Sequence, residues 1–364
     1  SSKPVVHLCQ ELAEVVALGG AVEIYQPPQR TGWIIDWQMD TFAAVGDFCR
    51  ERKGLCWHST SRSQAVIWHL ADSYYAANDP LYNYGGAVQP IEGALHMLLE
   101  TGRSTDILTE ADALAAASRY KLVVLPETTR LSAEVVSALE AFAADGGQVI
   151  LSGAHLAAEV PGLVGASPAG EPIESCYLAT AGQAAPVWGG WQPVQPAAGT
   201  MALAGAMAQP EIGRETDPPV VVTRRAVGSG SIIAIHGPLF RNYFQAHFPP
   251  TRRWFAEMVA GLGIAWEVQL DAPARLEPIV RELDGRLTIN LLNRGAGEML
   301  MPRRVIVEEL APVTDVTLRV RCPEPAGLSV VPAEPGVDWA WADGELVVSI
   351  PRVDVHTVVA IEPR

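Results

Sequence analysis

Apolar positions change their spacing three times along the chain. In the first stretch Leu8, Leu12, Val15 and Val16 recur at helical spacing until Gly19-Gly20 stops them. Ala21-Val22-Glu23-Ile24-Tyr25 then predicts a short strand, closed by Pro27-Pro28, with a loop from Gln29 to Trp33. A second helix is expected from about Asp40 to Lys53, with Phe42, Val45, Phe48 and Cys49 as its apolar stripe. Arg50, Arg52 and Lys53 fall in its last turn, where cations suit the helix dipole.

From 61 to 156 strands and helices alternate. Ala65 to Leu70 is an unbroken strand pattern of the kind buried on both faces, which makes His69 a core imidazole. A Tyr- and Gly-rich loop, Ser73 to Gly86, follows; its Tyr82, Tyr84 and Gly85-Gly86 read as a turn. Pro90 opens a helix with Ile91, Leu95, Leu98 and Leu99 on one side, ended by Gly102. Lys121 to Pro126 is the next strand. Ser132 caps the helix after it, Leu131 and Val136 form a hydrophobic staple, and Gly146-Gly147 ends it before the strand Gln148 to Ser152. Strands separated by helices imply a parallel sheet. Residues 157–218 are weakly periodic, with a short strand at Cys176-Tyr177-Leu178. Pro219 to Arg225 and Ser231 to Ile235 read as a hairpin, and Thr251 to Leu262 as a helix.

Beyond Ile264 the period becomes two. Leu287, Ile289 and Leu291 alternate with Thr288 and Asn290; Leu346, Val348 and Ile350 alternate with Val347 and Ser349. Asp284-Gly285 and Asp343-Gly344 are hairpin signals, and the segment predicts a β-sandwich. The expected fold class is therefore α/β plus all-β.

Charge narrows the partners. Lys and Arg number 26 against 41 Asp and Glu in 364 residues, a net −15 that argues against nucleic acid. No apolar run approaches the ~18 residues of a membrane span. The five cysteines lack framework or zinc spacing and read as reduced thiols of a cytoplasmic protein. Ten tryptophans suit core packing or stacking on sugar faces.

Several chemistries are excluded by spacing. An elbow nucleophile belongs after Ile150, but Ile150-Leu151-Ser152-Gly153-Ala154-His155 fails the G-x-S-x-G pattern and holds no Cys; Ser152 and His155 read as loop polar groups. Gly228-Ser229-Gly230 lacks the Lys-Ser/Thr of a phosphate loop. His236 and His247 are not at ligand spacing, and the sequence gives no partner signal for His58 and His96, so no metal and no cofactor is expected. Tyr25, Gln26, Arg30, Trp33 and Asp36 would line the mouth of the first strand and form the best small-molecule patch by residue type. Trp188-Gly189-Gly190-Trp191 is a second candidate platform for carbohydrate.

Tyr120-Lys121-Leu122-Val123-Val124-Leu125-Pro126 and Leu139 to Leu151, with Ala65-Val66-Ile67-Trp68, resemble the trimerisation domain of β-galactosidase-type glycoside hydrolases. That domain looks like a class I glutamine amidotransferase fold without its Cys, with a flavodoxin-like parallel sheet. Gln10 to Tyr25, with Ala17 to Tyr25 within it, resembles the last β/α unit of a glycosidase barrel, as in hydrolases related to α-L-fucosidases, and Leu346 to Ile361 is similar to their C-terminal sandwich. The resemblance implies three segments: 1–60 as the end of a β/α barrel, 61–263 as the amidotransferase-like domain, 264–364 as the sandwich. A full barrel needs ~200–250 residues, so the expectation is a C-terminal portion of a longer glycosidase. It would act in oligomer assembly and in shaping the active-site cleft, with catalytic residues outside this chain. The expected partners are carbohydrate and further copies of the chain. The alternatives are a stand-alone carbohydrate-binding protein and, less compatible with the missing Cys, an amidotransferase-like enzyme.

Overall fold

The computed structural model describes residues 3–364 apart from 26, 78–87, 129, 181, 296–297 and 302–303. The loop carrying Tyr82, Tyr84 and Gly85-Gly86, and Gln26, lie outside the described residues. The chain forms two compact units: residues up to Ser63 with Gly102–Ser104 and Trp266–Arg364, and Gln64–Thr101 with Thr105–Ala265. Among the described residues no helix is long and apolar enough to cross a membrane, and all five cysteines are free.

The second unit is built on a seven-stranded sheet. Its order is Thr200–Gly205, Val220–Val227, Gly230–Ile235, Gln148–Ser152, Leu122–Leu125, Ala65–His69 and Thr105–Thr109. The last five run parallel and the first two are antiparallel additions at one edge. The central strands are fully buried, as their unbroken apolar runs require. One core layer places Val66, Trp68, Val123, Leu125, Val149 and Leu151 against Val135, Leu139 and Phe142 of the Ala133–Ala144 helix. Ser132 caps that helix by accepting the Val135 N–H at 3.2 Å. Helices at Gln89–Leu99, Leu239–Ala246 and Pro249–Ala260 complete the unit. Elements that the sequence missed include the helix Ala71–Ala77, the edge strand Thr105–Thr109, the helix Glu110–Ala116 and the helix Leu239–Ala246.

The first unit is a sandwich covered by two helices. A five-stranded sheet, ordered Thr60–Ser61, Leu276–Leu283, Arg286–Asn293, His356–Glu362 and Gly327–Val331, faces a four-stranded sheet ordered Val268–Asp271, Val313–Arg321, Glu345–Val353 and Asp338–Ala342. Ile289, Leu291, Val359 and Ile361 share a core with Val316, Leu318, Val348 and Ile350. The helices Val5–Ala17 and Asp36–Cys56 lie on the other side of the five-stranded sheet, where Val16, Leu55 and Cys56 meet Val358 and Ala360, and Ala13 and Ala17 meet Leu292.

Residues 1–60, expected as a segment of their own, fall in one compact unit with the sandwich strands. The strand expected at Ala21–Tyr25 does not form: these residues are irregular and mostly exposed. Among the described sheets none supplies it a neighbour, and a lone strand cannot satisfy its backbone N–H and C=O groups. Around Ile289 the strand is buried on both faces: Thr288 and Asn290 are wholly buried, because helices cover the side away from the sandwich core.

Candidate functional site

At the C-terminal ends of the parallel strands a carboxylate network occupies the place where α/β sheets hold their chemistry. The Leu122–Leu125 strand runs through Pro126 into Glu127, which holds φ at 37°, left-handed backbone for a residue that is not glycine. Sequence reasoning looked for such a sharp post-strand residue after Ile150; the structure has it one strand over. Glu127 Oε1 accepts from Phe240 N at 2.8 Å and Ser152 Oγ at 2.9 Å, and Oε2 accepts from Arg241 N at 3.2 Å. One side chain thus ties two strand ends to the first turn of the Leu239–Ala246 helix, whose orphan N–H groups favour a negative partner. Burial pushes the Glu127 carboxyl up to about 7, while its hydrogen bonds and the Arg241 charge pull the other way.

Ser152 is wholly buried and has one proton for two acceptors: Glu127 and the Gly237 carbonyl at 2.7 Å. Protonating Glu127 frees the hydroxyl for Gly237. Ser152, expected as a loop polar group, is the buried last residue of its strand and spends its hydroxyl in this network and not on His155. His69, at the end of its strand, is half-buried and meets Tyr74 edge-on at 5.2 Å, and burial holds its pKa low. A cavity of about 700 Å³ lies at the opposite strand ends, lined by Tyr120, Lys121, Phe142 and Gln148. Lys121 Nζ is tied there to the Ala265 carbonyl.

The other predicted site residues are placed as follows. Tyr25 and Trp33 are 83% and 77% exposed, and Arg30 and Asp36 are also exposed. Trp33 ends a tight loop in which Gln29 N donates to Trp33 O at 3.0 Å. Asp36 opens the Asp36–Cys56 helix, where its charge suits the dipole. Ile24, Tyr25, Trp33, Ile34, Trp37 and Met39 form a run of exposed large apolar side chains within sixteen residues of sequence. The expectation of a Trp188 and Trp191 platform is corrected: Trp191 is wholly buried, its ring lying where a Cβ on Gly237 would stand. Trp188 is half-buried, with Nε1 donating to Gln245 Oε1 at 3.2 Å and its ring edge-on to Phe248.

Histidine placement departs furthest from expectation. His236 is buried in the strand end beside Thr223, and burial pushes its pKa down to about 4. His247, however, meets His96 and Glu100, and their ligand atoms all lie within 4.8 Å of one another. The Gln89–Leu99 and Leu239–Ala246 helices bring them together by crossing at Gly93, where a Cβ would collide with the Phe240 carbonyl oxygen. Gly93, His96 and Glu100 stand three and four residues apart, on one helix face. That i, i+4 spacing of His and Glu was the signal in the sequence for this group.

Residues 95–157 match the β-galactosidase trimerisation domain family. No curated protein matches the sequence. The fold is similar to that of α-L-fucosidase isoenzyme 2 from Paenibacillus thiaminolyticus, with a TM-score of 0.83 and 18% identity over 100% of this chain and 58% of that one. It is also similar to Gan42B, a GH42 β-galactosidase of G. stearothermophilus (TM-score 0.65, 15% identity, 100% of this chain and 51% of that one). A third likeness is to the β-galactosidase of Rahnella sp. R3, with a TM-score of 0.60 and 16% identity over 98% of this chain and 51% of that one. The chain spans little more than half the length of these proteins.

Proposed function

We propose that these residues are the assembly and cleft-shaping region of a glycoside hydrolase acting on carbohydrate, with bond cleavage performed outside this chain. The match of residues 95–157 to a β-galactosidase trimerisation domain carries the reading. The exposed apolar run from Ile24 to Met39 supports it, since side chains of this kind concentrated in one stretch suit a covering surface. In the whole enzyme a pair of carboxylates would hydrolyse the glycosidic bond. Tyr25, Arg30, Trp33 and Asp36 would add stacking and hydrogen bonds to the sugar. The flavodoxin-like, amidotransferase-like character of the sheet belongs to the same reading, and so does a cytoplasmic location. Glu127 at the strained post-strand position is a carboxylate and not a thiolate, which disfavours glutamine hydrolysis.

Light scattering on the purified chain tests the assembly role: a trimer is expected, and a monomer at micromolar concentration overturns it. A second reading, a carbohydrate-binding protein that works alone, is favoured by the exposed Tyr25 and Trp33 rings. It predicts oligosaccharide binding by a chain that remains monomeric, lost in Trp33→Ala.

A further inference from the structure

We propose that His96, Glu100 and His247 form a binding site for a divalent transition metal of the zinc and cobalt class, independent of the assembly role proposed above. The spacing of the donor atoms carries the inference. His96 Nδ1 lies 3.1 Å from His247 Nε2, and His247 Nε2 lies 3.4 Å from Glu100 Oε1. A tetrahedral ion with bonds of about 2.0–2.1 Å holds its ligand atoms about 3.4 Å apart. Two imidazole nitrogens and one carboxylate oxygen suit a borderline ion, and not calcium or magnesium, which prefer all-oxygen shells.

The surroundings hold each donor in place. Glu100 divides its two oxygens. Oε2 accepts from Arg252 Nη1 at 2.7 Å and from the Tyr243 hydroxyl, which leaves Oε1 turned toward His247. His247 sits at the end of the Leu239–Ala246 helix with φ at 48°, and its ring also donates to the backbone of Phe244. Such a second contact fixes the tautomer and the orientation of a ligand imidazole. The His247 ring lies 4.7 Å from Tyr243 and 5.0 Å from His96, centroid to centroid. With 41% of its side chain exposed, His247 gives an ion a path from solvent and leaves a fourth position for water. Arg252 places a positive charge beside the site, so the affinity expected is micromolar and not that of a zinc finger.

The alternative for these atoms is a proton-linked His–His–Glu cluster that binds no ion, and the experiment separates the two. Tag-free full chain, stripped with chelator, is titrated with Co²⁺ and followed by its visible d–d absorption; Zn²⁺ is followed by the thermal midpoint. One equivalent of Co²⁺ should give tetrahedral bands, and Zn²⁺ should raise the midpoint. His96→Gln and His247→Gln should each weaken binding at least about ten-fold, while His58→Gln, at an exposed ring elsewhere, should leave it unchanged. Circular dichroism confirms that each variant is folded; should one not fold, the other variant alone decides. Absence of bands at stoichiometric Co²⁺, or bands that survive both substitutions, overturns the site.

Discussion

Each unit carries a polar cluster built round an arginine and a histidine, and the two are put to opposite use. In the sandwich unit Arg52 is buried, with Nη1 on the Phe48 carbonyl at 3.0 Å and Nη2 on the His356 carbonyl at 2.9 Å. The His356 ring pairs with Asn290 at 3.0 Å, and Asn290 also accepts from Cys56 Sγ at 3.3 Å. The Arg52–His356 and Cys56–Asn290 links join a covering helix to the sheet beneath it and the His356–Asn290 link joins neighbouring strands, while Arg52 Nη1 also meets the Phe48 carbonyl and the exposed Glu51 carboxylate of its own helix. In the α/β unit Arg252 sits on a helix and Glu100 and His247 at helix ends; Glu100 and Arg252 are partly buried, His247 is exposed, and a His96 nitrogen faces a His247 nitrogen. Closure makes the first cluster a lock. Access is what would let the second exchange an ion with solvent.

The comparison is sharpest in acid. Burial and the Arg52 charge push His356 down to about 3. A depressed histidine contributes stability that is complete above its unfolded value near 6.5 and lost as pH falls toward 3, a swing of roughly 4 kcal/mol. In the other unit the two largest shifts that fall in the acid range oppose each other. His236, pushed down to about 4, loses stability in the same direction. Glu127, raised to about 7, works the other way: between about 4.5 and 7 its folded form holds a proton that the unfolded chain has released, so acidification relieves it. Amide exchange corrected for intrinsic rate should therefore weaken in Ile289–Leu291 between pH 7 and 4.5, and change little in Val149–Leu151. Glu127→Gln removes the compensation and should make the second set acid-sensitive by about 3 kcal/mol. Equal acid sensitivity of both sets in the unsubstituted protein would remove the distinction.

Substituting the arginines gives the next largest difference. Arg52→Met leaves buried carbonyls unpaired and should cost about 3 kcal/mol in denaturant unfolding. Arg252→Met, at a partly solvated pair, should cost about 1 kcal/mol. Similar costs would mean that burial is not what separates the clusters.

How much of this was readable follows the same division. The strands around Ile67, Val124 and Ile150, the Ser132 cap and the sandwich alternation were legible because burial on a sheet writes itself as apolar periodicity. The edge strand Thr105–Thr109 was not, since only Ile107 and Leu108 are apolar and its outer side needs no partner. The Leu239–Ala246 helix was hidden by Pro238 before it and by Arg241, Asn242 and Gln245 within it. The burial of Asn290 was not legible, because nothing local announces that a helix from the start of the chain will cover it. Glu127 gave no signal, its role being set by φ and by partners 25 and 113 residues away. His96 and Glu100 did give one, in their spacing, but His247 completes the group from 151 residues away.

The smallest predicted effects test whether the open cluster depends on the close crossing of its helices, using two glycines inside helices. Gly54, in the Asp36–Cys56 helix, has open space where a Cβ would stand, so Gly54→Ala should stabilise by about 0.5–1 kcal/mol through helix propensity alone. Gly93, in the Gln89–Leu99 helix, faces the Phe240 backbone carbonyl and the Phe244 Cβ. The same propensity gain must there be set against a collision that only separation of the two helices relieves, a cost of about 1–3 kcal/mol. Gly93→Ala should therefore lower the thermal midpoint while Gly54→Ala raises it. Because Phe240 and His247 ride on one helix, the separation should also draw His247 away from His96 and Glu100 and abolish the Co²⁺ bands. A Gly93→Ala variant that is destabilised yet keeps those bands would show that the three side chains reach one another without the close crossing.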